Sequence, residues 1–319
     1  MTTPHDRLLL LGSTELTLAV ADRIIADGRI PLAGIMSAPK EFQISYSATP
    51  VVNARYADVS AWCAGHGTAF ASYTAPADIT RFGRETGATL ALLAGWYHMV
   101  PADVRAFFAR GCIGVHASLL PRYRGGAPLN WALLNGDAEA GVSLFELTDG
   151  VDDGALYDQR RFAIEPDDYI GDLVRKAEEA TLAMVSDALP AVVAGTCRPR
   201  PQQGTATYAL QRQPSDAAID WRHSAHDIAR LVRSASRPYP GARTALDGAP
   251  LTVWRARAAL NAPQVFGVPG QIARIDVLPS PAVVTGDGLL LIEEVEGPDG
   301  FNLQRLARSH QRRLEVVQR

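Results

Sequence analysis

His116 closes a short apolar run, Cys112-Ile-Gly-Val-His116, and is followed by the irregular turn Ser118-Leu-Leu-Pro121 and then by Arg122, Arg124 and Gly125. Further along, the loop Gly150-Val-Asp-Asp-Gly154 sets two carboxylates, Asp152 and Asp153, between glycines. A histidine at a strand end with a carboxylate in reach can move a proton near neutrality, because imidazole titrates near ~6.5. The carboxylate fixes the ring and stabilises its charged form, as in the triads of acyl transfer. Taken alone, His116 also reads as a histidine that only completes its hydrogen bonds at a strand end.

The elements that must position these groups follow from hydrophobic patterning. Residues 7–12 form a continuous apolar run, as expected of a buried parallel strand. Ser13 or Thr14 can cap a helix whose apolar positions Leu16, Val20 and Ile24 recur every four residues. An apolar run from Ile30 to Met36, helices near 54–65 and 77–86, and strands over Thr89–Ala94 and Cys112–His116 continue a β-α-β alternation. The fold class is therefore α/β, with a Rossmann-like parallel sheet. Its first turn, Gly12-Ser-Thr-Glu-Leu-Thr17, is not G-x-G-x-x-G, which removes the main support for a dinucleotide site.

Two strands over Gly141–Leu147 and Ala155–Ile164 flank the acidic loop, and one helix is expected to run to about Ala194. The stretch 196–206, rich in proline and glycine, reads as a linker. Beyond it, short strands, the turn signal Asp287-Gly288 and a helix near 223–235 suggest a small, OB-like β-barrel. The expected domains are 1–195, a linker at 196–206, a barrel at 207–311 and a tail at 312–319, which reads either as a docking helix or as a frayed end.

Composition sets outer limits. A net charge of −3 gives no reason to expect nucleic acid or an anionic membrane as partner. Cys63, Cys112 and Cys197 lack metal-ligand spacing and read as core residues of a reduced protein, and no metal is expected. Met1–Arg7 lacks a signal peptide's pattern, and no apolar stretch reaches the ~18 residues of a membrane span. The expected compartment is the cytoplasm.

The chemistry-bearing segments resemble the folate-dependent formyltransferases. The likeness covers Gly12-Ser13, Gly95-Trp-Tyr-His-Met-Val100, the whole of His116–Gly125, Ala127-Pro-Leu-Asn-Trp131, Asn135–Val142 and Gly150–Gly154. In the second domain it covers Ile219-Asp-Trp221, Val232-Arg233, Pro238-Tyr-Pro-Gly241 and Val284–Gly288. The resemblance implies transfer of a formyl group from 10-formyltetrahydrofolate to an amine, with His116 as base and Asp152, rather than Asp153, as its partner. It implies a donor cleft made by Trp96, Tyr97, His98, Met99, Val100, Ser118, Leu119, Leu120, Pro121 and Asp149. His98 is there a noncatalytic cleft residue, with a second base as the alternative. Arg122 and Arg124 either meet an anionic substrate or belong to a solvated loop.

One position departs from the family, which carries a catalytic asparagine two residues before the histidine; this chain has Gly114. Loss of one oxyanion donor costs roughly 3–4 kcal/mol of barrier. Three readings are open: a rewired formyltransferase with a backbone N–H or water in the amide's place; another donor or reaction, including formylfolate hydrolysis, using the vacated volume; or a folate- or amine-binding protein without catalysis. The insertion 38–55 holds only Lys40 and Arg55 as cations, and the linker adds Arg198 and Arg200. Leu129–Gly136 and Pro238–Gly241 look more like the amino-sugar formyltransferases. The resemblance together with the few cations implies a small primary amine, hydroxylamine or hydrazine as acceptor rather than charged tRNA, and a homodimer by analogy with sugar-modifying relatives.

Overall fold

The computed structural model describes residues 6–43, 50–279 and 281–317. Most of the expected leaderless start, the last two residues of the tail, and positions 44–49 of the insertion lie outside the described residues.

The first compact unit comprises residues 1–125, 140–162 and 175–208. Its sheet has strands β1 (Leu8–Leu11), β2 (Leu32–Ser37), β3 (Phe70–Ser72), β4 (Leu90–Leu93), β5 (Cys112–His116), β6 (Glu139–Glu146) and β7 (Leu156–Ala163), in the order β7-β6-β5-β4-β1-β2-β3. All four leucines of β1 are fully buried, which is why this central strand carries no alternation. Helix Glu15–Asp27 follows it, with the Thr17 hydroxyl accepting from the Thr14 backbone N–H at 3.1 Å; Gly28, at φ 70°, ends the helix.

From β3 to β5 the neighbouring strands are parallel, whereas β6 runs antiparallel to β5. The expected parallel sheet is thus parallel-dominated, with a reversed strand, β6, next to its edge strand β7. A helix in the β5–β6 connection, Pro128–Asn135, belongs to the second unit, so this connection does not build the crossover that makes successive strands parallel. The long helix expected to reach Ala194 instead breaks into Ile170–Asp187 and Leu189–Val193, since Pro190 cannot continue the hydrogen-bond ladder of the preceding turn.

The stretch 196–206 is tied into the first unit. Leu156 and Arg200 exchange two backbone hydrogen bonds at 2.7 and 2.8 Å. A proline-rich segment without periodicity looks the same in sequence whether it is free or bonded along its backbone.

The second unit comprises 126–139, 163–174 and 209–319. Its sheet contains β8 (Ala242–Leu246), β9 (Ala249–Ala258), β10 (Ile272–Ala273), β11 (Ala282–Val284), β12 (Leu289–Glu296) and β13 (Leu314–Glu315), in the order β10-β11-β12-β9-β8-β13. The two ends of this antiparallel sheet bond to each other: Ile272 N–H donates to Arg312 O and Leu314 N–H to Gly270 O, both at 2.8 Å. Closure removes the exposed edges. Trp221, Ile228, Val232, Leu290 and Ile292 fill the core, with helix Ala225–Ala235 supplying two of them.

Candidate active site

β5 delivers His116 to the carboxyl edge of the parallel strands, two residues past the Leu93–Gly114 pairing, where open α/β sheets place their ligand crevices. The ring is 11% exposed and lies between two acceptors: Nε2 is 2.8 Å from the Tyr123 carbonyl oxygen, and Nδ1 is 3.5 Å from Asp152 Oδ2. A neutral imidazole carries one N–H and can satisfy one acceptor at a time. The proton on Nε2 would serve the Tyr123 carbonyl, and the proton on Nδ1 would serve Asp152 and leave Nε2 free to accept.

Asp152 is bound in place. Its Oδ2 accepts from the Gly125 backbone N–H at 2.7 Å, and its own backbone adopts φ 47°. Such left-handed geometry in a non-glycine costs on the order of 1–3 kcal/mol and persists where the surroundings over-determine it. Gln202 does this: its Nε2 donates to the carbonyls of Asp152 and Gly154, both at 2.8 Å. Gly154 itself is irreplaceable, because a Cβ there would lie 1.8 Å from the Glu146 carbonyl oxygen. Asp153 turns away and accepts from the Thr148 hydroxyl.

The turn after His116 is anchored by polar side chains of β6 and β7. Ser143, fully buried, donates to Ser118 O at 2.7 Å and accepts from Leu120 N–H at 3.2 Å, while Gln159 donates to Leu120 O at 3.0 Å. Ser118 donates to Arg122 O at 2.6 Å. Thr207 fixes the far side, accepting from Tyr123 N–H at 2.9 Å and donating its own N–H to Pro121 O at 3.1 Å. Arg124 points to Gln202 Oε1, with Nη2 at 2.7 Å, and Arg122 lies over the Tyr123 ring at 5.4 Å.

Gly114 does not leave a vacancy, which corrects the expectation of open volume. A Cβ built there would meet Leu147 Cδ1 at 2.8 Å and Phe145 Cε1 at 3.1 Å. Glycine on this strand face is matched by two apolar side chains from β6 and the residue after it.

The residues expected to hold a donor fall into three sets. Trp96 and His98 join Phe42 and Tyr73 in an aromatic cluster, with ring centroids 4.7–5.4 Å apart along the contacts of His98 and Trp96. Trp96 Nε1 and His98 Nε2 are both buried without a hydrogen-bond partner, and burial pushes the His98 pKa down. Tyr97 and Met99 are exposed, whereas Val100 is buried and its carbonyl accepts from Arg105 Nη1 at 2.6 Å. Ser118, Leu119, Leu120 and Pro121 are buried in the turn beside His116. Asp149 is largely exposed and ion-paired with Arg105.

Sequence patterning overlooked Gln202, Thr207, Ser143 and Gln159. Only Ser143 left a trace, as a small polar residue inside an apolar strand; Gln202 and Thr207 lie in or beside the stretch taken for a linker. Among the described residues, no group of three or more His, Cys, Asp or Glu side chains is arranged to hold a metal ion, and no helix is long and apolar enough to cross a membrane.

Two family models match the chain: formyl transferase over residues 46–189, and formyl transferase, C-terminal domain, over residues 212–310. The methionyl-tRNA formyltransferase of Burkholderia pseudomallei (strain 668) is 38% identical over 216 residues, covering 66% of this chain and 64% of that protein. The chain therefore spans just under two thirds of the length of that relative. The methionyl-tRNA formyltransferase of Paraburkholderia phymatum is 38% identical over 224 residues, 69% of this chain and 67% of its own length. Among solved structures, WlaRD, a sugar 3N-formyl transferase crystallised in the presence of dTDP and 5-N-formyl-THF, superposes with a TM-score of 0.66 at 13% identity, covering 94% of this chain and 100% of that one. At that identity the likeness is one of fold.

Proposed function

The chain belongs to the formyl transferase family, and we propose that it transfers a formyl group from 10-formyltetrahydrofolate to the amine of a small molecule, with His116 as general base and Asp152 as its partner. The observation that carries this reading is the enclosed imidazole with Asp152 Oδ2 3.5 Å from Nδ1, on a loop fixed by Gln202 and Gly125. With the imidazole in the tautomer that carries its proton on Nδ1, toward Asp152, Nε2 is unprotonated; the neutral amine attacks the formyl carbon and hands its proton to Nε2 in place of the Tyr123 carbonyl contact. The carbon–nitrogen bond to the folate then breaks, and the proton passes to the departing folate nitrogen.

The donor is supported by the aromatic cluster around Trp96 and His98. A flat heteroaromatic ring with polar edges would suit neighbours such as this aromatic cluster, in which Trp96 Nε1 and His98 Nε2 have no protein partner. A small acceptor is supported by charge. Arg55, one of two cations in the insertion 38–55, is tied to Glu15 at 2.9 Å and also to Glu178, so it is neutralised rather than offered to phosphates.

The test is consumption of 10-formyltetrahydrofolate by the purified protein with a panel of small amines, amino sugars, hydroxylamines and hydrazines beside charged initiator methionyl-tRNA. A formamide product from a small amine, and none from the tRNA, is the expected result. Efficient formylation of the tRNA would overturn the acceptor class, and consumption without any acceptor would replace transfer by hydrolysis.

A further inference from the structure

On β5 the side chains of residues 112, 114 and 116 share one face of the sheet, so residue 114 is the neighbour whose side chain would lie alongside the His116 ring. Across the antiparallel pair, Gly114 sits opposite Phe145, and Leu147 N–H donates to Cys112 O at 2.8 Å, which places Leu147 on the same face one step along. Phe145 meets the His116 ring edge-on, with centroids 6.4 Å apart. Phe145 is buried among Leu120, Leu156 and Leu147, so the wall is packed from behind.

We propose that Leu147, braced by Phe145, sets the polarity of the reacting centre: it occupies the position beside His116 that a hydrogen-bond donor on residue 114 would need. The proposal rests on the reading of His116 as the base of an acyl-type transfer. An alanine at 114 asks that Leu147 Cδ1, 2.8 Å from a new Cβ, move aside and that Phe145 Cε1, at 3.1 Å, give by a few tenths of an ångström. An asparagine adds three more heavy atoms along the same direction, into the volume that Leu147 and Phe145 share. The glycine and the leucine are thus one device, and changing the glycine alone cannot introduce a donor. With the wall in place, negative charge developing on the formyl oxygen receives nothing from this strand, and a donor placed there would act on the transition state rather than on bound substrate.

The experiment is a double-mutant cycle on the full chain: wild type, Gly114→Asn, Leu147→Ala and both together, read by thermal midpoint and by steady-state kinetics with 10-formyltetrahydrofolate. Overpacking predicts that Gly114→Asn lowers the midpoint by roughly 5 °C in the wild-type background and much less beside Leu147→Ala. The double variant is then expected to exceed Leu147→Ala in kcat by at least about tenfold, with KM for the donor unchanged, because a single oxyanion donor contributes about 10²–10³ when well placed. Equal midpoint losses in both backgrounds would overturn the proposal. Coupled midpoints without a gain in kcat would overturn the role at the reacting centre and leave Leu147 a packing residue. Absence of turnover in all four proteins would refute the proposed function itself, and the midpoints would still decide whether Leu147 fills the position.

Discussion

His116 has one proton to offer two acceptors when neutral, the Tyr123 carbonyl 2.8 Å from Nε2 and Asp152 3.5 Å from Nδ1. Catalysis by this ring therefore requires the Tyr123 carbonyl to be exchanged for the substrate amine, while Asp152 takes the other nitrogen. His98 makes the opposite case, a histidine held neutral by burial in an aromatic cluster. Its folded pKa lies below the ordinary value, so the unfolded chain binds more protons in the window beneath ~6.5. The stabilising effect of keeping His98 neutral is complete above that window and is lost as the pH falls through it. His98→Phe should consequently narrow its deficit, or gain on wild type, as the pH drops from 7 to 5; a midpoint difference that stays flat over that range would contradict this account. The pairing of His116 with Asp152 was implied by the family resemblance alone, since the residues by themselves left His116 open to a purely structural role and did not choose between Asp152 and Asp153. The packing around Gly114 was not legible in the sequence, since a missing side chain says nothing about which neighbours move in.

At the scale of elements, the site depends on a segment whose composition suggested a connector. Gln202 holds the carbonyls of Asp152 and Gly154 with one end and Arg124 with the other, so a single side chain joins the acidic loop to the turn after His116. Gln202→Ala removes four hydrogen bonds, two of them to a loop that already holds Asp152 at positive φ. The expected outcome is a kcat reduced about tenfold or more with little change in KM for the donor, because orientation of the base, not binding, is lost. A rise in KM with kcat preserved would assign Gln202 to the donor pocket instead. Apolar runs revealed β1, β4 and β5 in the sequence, and the Asp287-Gly288 turn announced the β11–β12 hairpin. The reversal at β6 was invisible, because strand direction depends on where the connecting helix packs, and periodicity carries no such information.

For the whole molecule, the chain passes between two compact units five times. Composition locates the second unit's antiparallel sheet, whose end-to-end bonding through Ile272 and Leu314 is set by backbone bonds that no residue pattern advertises. The family reading, by contrast, was carried by the sequence across both units, and both family models match it. In the proposed reaction the scaffold presents one imidazole–carboxylate pair to a formyl donor and an amine. That role of the pair is tested most directly with 10-formyltetrahydrofolate labelled with carbon-13 at the formyl group, an accepted amine, and the wild-type, His116→Ala and Asp152→Asn proteins. The account predicts label in the product formamide with wild type and a loss of about 10²–10⁴ in rate for each variant, while a stable folate analogue still binds both. Label transfer by His116→Ala at the wild-type rate would contradict it.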